Sequence, residues 1–205
     1  MGTHIIERMA VEVNGTGEPL VLLHGLGGTS NVWTPQMPAV ARRFRVIRFD
    51  LPGSGRSPAS ANTSISSHVE AVLPALRVLG VEAAHFAGHS MGTIVCQHLA
   101  EREPSTVKSL ALIGPVHQLA EAGRQAMRER AAKVRAEGMS DVAEAIMKGA
   151  TSADTKSNNT VGMAFIRELL MRQDPEGYAR NCEALAGAQG ADLEGIRCRT
   201  LLMTG

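Results

Sequence analysis

Short apolar runs alternate with helix-like segments over the first half of the chain. The runs lie at 20–23, 45–49, 84–87 and 108–113, and each is mostly aliphatic. Runs of this length and composition predict strands that are buried on both faces of a parallel sheet. Because strands and helical segments alternate, the pattern indicates an α/β sheet with right-handed crossovers.

One helical segment between these strands is well marked. Ile65, Val69, Val72 and Leu76 fall on a single helical face. Thr63 or Ser64 precedes the segment as a candidate N-cap, and Gly80 follows it as a stop signal. Pro74 lies inside it, so we expect a kink or a restart at that residue.

A different pattern begins near residue 118. Four helices are predicted at 121–137, 141–148, 161–172 and 175–186, with a polar stretch at 151–160 between the second and third. The final apolar run at 200–205 predicts another strand. The sequence therefore predicts a core formed by 1–117 and 191–205, with a helical cap inserted at 118–190.

Composition and charge narrow the functional classes. The 205 residues include 21 Lys and Arg against 20 Asp and Glu, so the net charge of +1 gives no broad field for nucleic acid or an anionic membrane. Six aromatic residues are too few for a base-stacking surface. No apolar run is long enough to span a bilayer, and the three cysteines have no metal-ligand spacing. We therefore expect a cytoplasmic globular protein without a metal site, and an enzyme is the favoured class.

The strongest chemical signal is the segment Gly88–Gly92, which reads GHSMG. It follows a predicted strand and opens a predicted helix. The pattern G-x-S-x-G in that context is typical of a nucleophile elbow, in which a strained turn projects the serine hydroxyl above the sheet. We therefore predict that Ser90 is a catalytic nucleophile placed at the positive end of a helix dipole.

Two glycine-rich loops lie upstream of Ser90. The segment His24–Gly28 (HGLGG) closes the first strong strand, and the amide of Leu26 with that of Met91 is a candidate oxyanion hole. A phosphate-binding loop is the alternative for this segment, but neither nucleotide fingerprint fits its spacing. The loop Asp50–Ser57 (DLPGSGRS) is interpreted as structural, with Asp50 accepting hydrogen bonds from loop amides.

These three motifs, in this order and spacing, closely resemble the α/β-hydrolase superfamily. The cap segment at 174–185 (DPEGYARNCEAL) is further similar to the end of the cap in 3-oxoadipate enol-lactonases, although this cap lacks the tryptophan those lactonases typically have near 148–150. The resemblance implies an α/β-hydrolase fold: a mostly parallel sheet flanked by helices, with an inserted helical cap. It also implies a cofactor-free serine hydrolase of small ester or lactone substrates, acting through an acyl-enzyme on Ser90.

Nucleophilic serine catalysis also needs a base and an orienting acid. The resemblance places both after Gly205, so we expect that this chain is a truncated part of a longer one and lacks them. His4 is expected before the first strand. Each of the seven histidines present is expected to be packed or solvent-facing, with His117 the one nearest the mouth of the site.

Several side chains are expected around the substrate. We predict that Gly25, Trp33 and His89 line the pocket, although Trp33 could equally pack under the cap. Arginines between 124 and 135 alternate with glutamates, which indicates a solvated face with local ion pairs or, alternatively, one arginine that holds a substrate carboxylate. Three other functions stay open: carbon–carbon bond hydrolysis, cofactor-free peroxidation, and a non-catalytic signalling role in which the protein binds a small molecule and acts through a partner.

Overall fold

A single seven-stranded sheet organises the fold in the computed structural model, which describes residues 3–204. Its strands are β1 (Thr3–Ile6), β2 (Met9–Asn14), β3 (Glu18–Leu23), β4 (Phe44–Phe49), β5 (Ala84–His89), β6 (Val107–Ile113) and β7 (Arg199–Met203). The order across the sheet is β1-β2-β4-β3-β5-β6-β7. All neighbours from β4 to β7 are parallel, while β1–β2 and β2–β4 are antiparallel. The predicted mostly parallel sheet is confirmed.

The first two strands were missing from the sequence prediction. His4 lies within β1, opposite Val11 of β2, so its expected place before the first strand is wrong. The turn between β1 and β2 holds Glu7 and Arg8 at φ values of 49° and 65°. Neither is the asparagine or glycine that ordinarily announces such a hairpin, and the pair therefore gave no turn signal.

Eight α-helices accompany the sheet within residues 3–204. They are α1 (Met37–Val40), α2 (Ile65–Val78), α3 (Met91–Arg102), α4 (Glu121–Glu137), α5 (Ser140–Gly149), α6 (Ala153–Asn158), α7 (Thr160–Met171) and α8 (Pro175–Gly187). Short 3₁₀ helices lie at Ser30–Gln36, Pro104–Thr106 and Leu193–Gly195. Within the described chain, no helix combines the length and apolar character that crossing a bilayer requires.

The predicted helices are confirmed with small shifts at their ends. Ser64 is the N-cap of α2, and its hydroxyl accepts the Ser67 amide in a reciprocal capping box. The helix does not restart at Pro74, which lies inside one continuous element. The helix α6 is an addition, because it lies in the stretch that was expected to be a polar connection.

The two faces of the sheet carry separate apolar layers. Val21 and Leu23 of β3 point to the layer shared with α2 and α3, where Met91 through Ala100 are buried. Leu22 points to the opposite layer, with the 3₁₀ helix at 30–36. Alternating sides along one strand follow from the two-residue period of β structure.

Helices α4–α8 lie between β6 and β7 in the chain, and we call them the helical insertion. They have an apolar cluster of their own, made of Ala131, Val134, Met139, Val142, Ala143, Leu170, Tyr178, Ala179 and Cys182. Leu26 of the sheet region packs against this cluster. The boundaries of core and cap at 117/118 and 190/191 stay a prediction. Gly205, the last residue of the predicted final strand, lies outside the described residues.

Candidate active site

Ser90 occupies a strained turn between β5 and α3. Its backbone has φ 50° and ψ −116°, a conformation that non-glycine residues rarely adopt. The Ser90 amide donates to Ile113 O at 3.0 Å, and Ser90 O accepts from the Thr93 amide at 2.8 Å. These contacts hold the turn in place at the N-terminus of α3, where the helix dipole favours negative charge.

The glycines on either side of the serine are required by close backbone approach. A Cβ on Gly88 would lie 2.5 Å from Gly92 O, and a Cβ on Gly92 would lie 2.5 Å from Leu23 O. Real Cβ atoms do not come this close to a carbonyl oxygen. The two glycines therefore let the elbow fold tightly against the end of β3, which explains the G-x-S-x-G spacing in physical terms.

The turn after β3 packs against the elbow. A Cβ on Gly25 would lie 3.0 Å from both Ser90 Cβ and His89 Nδ1, so the two segments are adjacent. The backbone amides of Leu26 and Met91 donate no hydrogen bond to any described residue. Unpaired amides beside a serine are the geometry that an oxyanion hole needs.

The buried side chain of His24 fixes this turn through two hydrogen bonds. His24 Nδ1 is 2.8 Å from Gly25 O, and its Nε2 is 2.9 Å from the Leu51 amide. Both contacts are satisfied by a neutral ring that carries its proton on Nδ1, in agreement with the burial that lowers the His24 pKa. Both ring nitrogens of His24 are therefore engaged within the loops.

The loop Asp50–Ser57 has the structural role that the sequence suggested. Asp50 accepts from the Ser30 amide at 2.8 Å, from the Arg56 amide at 3.1 Å and from Arg56 Nε at 2.8 Å. Burial alone would raise the pKa of Asp50, but these donors, Arg56 first, hold it below its usual value. Asp50 stays ionised and fastens two loops together.

A cavity of about 700 Å³ lies between the sheet region and the helical insertion. The sheet region contributes Gly25, Leu26, Gly27, Gly28, Val32, His89, Ser90, Val116 and Leu119. The helical insertion contributes Gly123, Ala126, Met127, Arg130, Ala145, Ile146, Gly149, Ala150, Thr151, Ile166, Leu169, Leu170, Tyr178 and Leu185. The lining is mostly apolar, with few polar groups, as is usual for a small-molecule site.

Most of the predicted site residues meet at this cavity. Ser90, His89, Gly25 and Leu26 all line it. The side chain of Met91 is fully buried in the core, so only its backbone amide is available to a ligand.

The prediction that Trp33 lines the pocket is wrong. It is 7% exposed and packs on the other face of the sheet with Leu22, Val46 and Ala87, which excludes both the pocket and the underside of the cap. The 3₁₀ helix at 30–36 turns the indole toward that face. Its neighbour Val32 lines the cavity instead.

No imidazole or carboxylate among residues 3–204 forms a hydrogen bond with the Ser90 side chain. His117, the histidine expected nearest the mouth, is exposed and does not line the cavity. Its Nδ1 lies 3.4 Å from Gln97 Oε1 on α3. His89 does line the cavity, but it makes no hydrogen bond to the serine, and burial lowers its pKa.

The charge of the cavity comes from one residue. Arg130 of α4 is half-buried in the lining, and none of the described lining residues is acidic. The Tyr178 hydroxyl beside it is buried and has no hydrogen-bond partner at ordinary geometry within the described chain. Burial raises the pKa of Tyr178, while the nearby Arg130 guanidinium opposes that rise. Both residues line the cavity, whose described lining contains no carboxylate.

Sequence reasoning left open that one arginine between 124 and 135 holds a substrate carboxylate, but it did not say which one, and it did not name Tyr178 as a lining residue. A signal was present, since Gly123, Met127 and Arg130 are spaced for one face of α4. The face that a helix turns to a cavity depends, however, on the packing of α5, α7 and α8, which the pattern of α4 does not contain.

Comparison with known proteins identifies the family. A model described as the alpha/beta hydrolase fold matches residues 18–161. The chain is 30% identical to 3-oxoadipate enol-lactonase 1 of Acinetobacter baylyi over 202 residues, which cover 96% of this chain and 74% of that protein.

Two solved structures agree with that match. An esterase from Thermogutta terrifontis, with malate bound, superposes with a TM-score of 0.92 at 26% identity, over 96% of this chain and 74% of the other. The enol-lactonase from Burkholderia xenovorans LB400 superposes with a TM-score of 0.89 at 31% identity, over 96% of this chain and 77% of the other. The sheet order, the strained Ser90 turn and these matches together show that the chain belongs to the α/β hydrolase fold family.

Proposed function

We propose that the protein is a cofactor-free serine hydrolase of small ester or lactone substrates. One observation carries the proposal: a strained serine faces a largely apolar cavity beside two backbone amides that no described residue engages. A packed structural turn has no need for such strain or for unpaired donors. The names of the similar enol-lactonases and esterase support the same class of bond.

The chemistry follows from the position of these groups. Ser90 Oγ attacks the carbonyl carbon and loses its proton to a general base, and the carbonyl oxygen becomes an oxyanion. The amides of Leu26 and Met91 donate to that oxyanion, and the N-terminus of α3 adds favourable field. Collapse expels the alcohol with a proton and leaves an acyl-enzyme on Ser90.

Water completes the cycle. It attacks the acyl-enzyme carbonyl, the same amides stabilise the second oxyanion, and the serine leaves with the proton that water supplied. A lactone differs only in that the alcohol stays attached to the acyl group. The expectation that the base and its acid follow Gly205 stays a prediction.

The helical insertion forms most of the substrate pocket in this proposal. It provides more than half of the described lining, including Met127 and Arg130 of α4 and Leu170 of α7. We therefore assign substrate preference to the insertion, and reaction chemistry to the elbow and the turn after β3.

Ser90→Ala tests the proposal. In the natural protein we expect ester turnover to fall by several orders of magnitude while the thermal unfolding midpoint stays close to that of the parent. Turnover is followed with p-nitrophenyl acetate and with a panel of esters and enol-lactones. Ser105→Ala is the control, because Ser105 is exposed and lies outside the cavity.

A fluorophosphonate probe identifies the nucleophilic serine independently of turnover. Mass spectrometry of the labelled protein is expected to find the probe on Ser90 in the parent and in Ser105→Ala, and nowhere in Ser90→Ala. Labelling of another residue, or turnover that survives Ser90→Ala, would show that Ser90 is not the nucleophile.

A further inference from the structure

The helix α4 carries five cations, and four of them are already engaged. Their partners are as follows: Arg128 pairs with Glu121, Lys133 with Glu137 and Asp141, and Arg135 with Glu176 and Glu183, while Arg124 donates to the carbonyl oxygens of Leu119, Ala186 and Ala188. Arg130 forms no ion pair with any described residue. It is also the cation of α4 that lines the cavity.

The position of Arg130 on the helix gives it a fixed direction. Gly123, Met127 and Arg130 lie on one face of α4, and each lines the cavity. Gly123 and Arg130 are two turns apart, about 10 Å along the axis. Arg130 is therefore well separated from the start of α4, the end that follows Val116 and Leu119.

The surroundings of Arg130 leave its charge uncompensated. The Tyr178 hydroxyl and the Cys182 thiol interact with it, and neither supplies a negative charge, since burial raises the pKa of both groups further above neutral pH. The rest of the lining is apolar or uncharged apart from His89, and the described lining contains no carboxylate. A half-buried guanidinium without a counter-ion is a favourable partner for an anionic group of a ligand.

We propose that Arg130 selects substrates that carry a carboxylate several carbon atoms away from the ester or lactone carbonyl that Ser90 attacks. The guanidinium fork matches a carboxylate in two parallel hydrogen bonds, so it fixes the orientation of the ligand as well as neutralising it. The mostly apolar lining of the cavity that Ser90 and Arg130 share suits a short methylene chain. This inference rests on the proposed function, because it assigns the other end of the same substrate.

The test separates binding from turnover by using the Ser90→Ala background. Calorimetry compares two ligands of equal length, monomethyl adipate and methyl hexanoate, which differ in having a carboxylate or a methyl group at the far end. Arg130→Gln is expected to weaken the binding of monomethyl adipate by at least about tenfold, since a hydrogen bond to a charged group is lost. Methyl hexanoate is expected to change less than about threefold.

Two further variants guard against a merely structural effect. Arg130→Lys keeps the charge but not the fork, so it is expected to recover part of the lost affinity. Arg128→Gln removes a cation of the same helix that points away from the cavity, and is expected to leave both ligands unchanged. If Arg130→Gln fails to fold, the ionic strength is varied with the Ser90→Ala protein instead. Higher ionic strength should weaken the binding of monomethyl adipate and leave the binding of methyl hexanoate unchanged.

The outcomes distinguish this inference from the proposed function. Equal losses for the two ligands in Arg130→Gln, or no loss for monomethyl adipate, would overturn the role of Arg130 even if Ser90 proves to be the nucleophile. A carboxylate preference that depends on Arg130 would uphold it even if no ester is hydrolysed.

Discussion

Among single residues, the glycines of the elbow are decisive, because they have no side chain to block the close approach of backbone segments. Ser90 is held at φ 50°, and such strain persists only when surrounding contacts over-determine the backbone. The contacts are backbone ones: the Ser90 amide to Ile113 O, and the approach of Gly92 to the carbonyl oxygens of Leu23 and His24. A side chain on Gly92 would separate the elbow from the turn that holds the Leu26 amide.

Gly92→Ala is therefore expected to destabilise the protein by at least about 1–3 kcal/mol, because the added methyl meets backbone that cannot move aside cheaply. The free energy of unfolding in urea is the measurement. Gly187→Ala is the matched control, since Gly187 is also helical, is exposed and has nothing within 4 Å of its Cβ position. Its stability is expected to change by less than about 1 kcal/mol. Equal effects of the two substitutions would contradict the steric account.

At the element scale, amphipathic pattern and stop signals were enough for most helices. The bounds of α4 are those expected from sequence, because polar and apolar residues alternate with helical period up to Gly138, which adopts φ 78°. The helix α6 was missed because it has no buried residue and hence no apolar face to detect. The strand β1 was missed for a related reason, since Thr3, His4 and Ile5 are all exposed.

A buried polar contact joins α2 of the sheet region to α8 of the helical insertion. His68 of α2 and Asn181 of α8 are both buried, and His68 Nε2 lies 2.9 Å from Asn181 Oδ1. The amide nitrogen of Asn181 donates in turn to Pro52 O at 3.1 Å and Ser54 Oγ at 3.2 Å. Asn181 therefore connects three segments and needs His68 as a donor on Nε2. Nothing in the sequence marked this pair.

The His68 contact gives stability a pH dependence. Burial lowers the pKa of His68 to about 4, with the Asn181 hydrogen bond only partly opposing the shift. An unfolded histidine titrates near 6.5, so between about pH 6.5 and 4 the unfolded chain binds more protons and stability falls as pH falls. The loss between about pH 7.5 and pH 5 is expected to be about 2 kcal/mol from this group.

His68→Gln measures that contribution directly. Glutamine keeps an N–H donor but does not titrate, so the free energy of unfolding of the variant should fall less steeply over the same pH range. The difference between the two slopes removes the effect of carboxylates and of His24, which the variant retains. Parallel profiles would show that His68 does not carry a depressed pKa.

At the scale of the whole molecule, the candidate site brings together residues that are far apart in sequence. Leu26, Ser90, Val116 and Arg130 line one cavity because β3 and β5 are neighbours in the sheet and the helical insertion follows β6. The strained turn at Ser90 and the position of the Leu26 and Met91 amides beside it were predictable, since their motifs are local. The lining from α4, α7 and α8 was not, because it depends on how three helices pack over the sheet.

The strand β7 lies at one edge of the described sheet and is exposed to solvent. All residues of β7 are exposed, with Leu201, Leu202 and Met203 at 56%, 64% and 47%, and β6 is the strand paired with it. Apolar side chains on both faces of an edge strand favour pairing with another chain. The polypeptide of residues 1–205 is therefore expected to self-associate, and Leu201→Lys combined with Leu202→Glu should move association to severalfold higher concentration in sedimentation velocity. Val78→Lys is the control, because Val78 is 63% exposed but lies on α2, away from the edge. An equal shift in both proteins would mean that general surface hydrophobicity, and not the β7 edge, drives association.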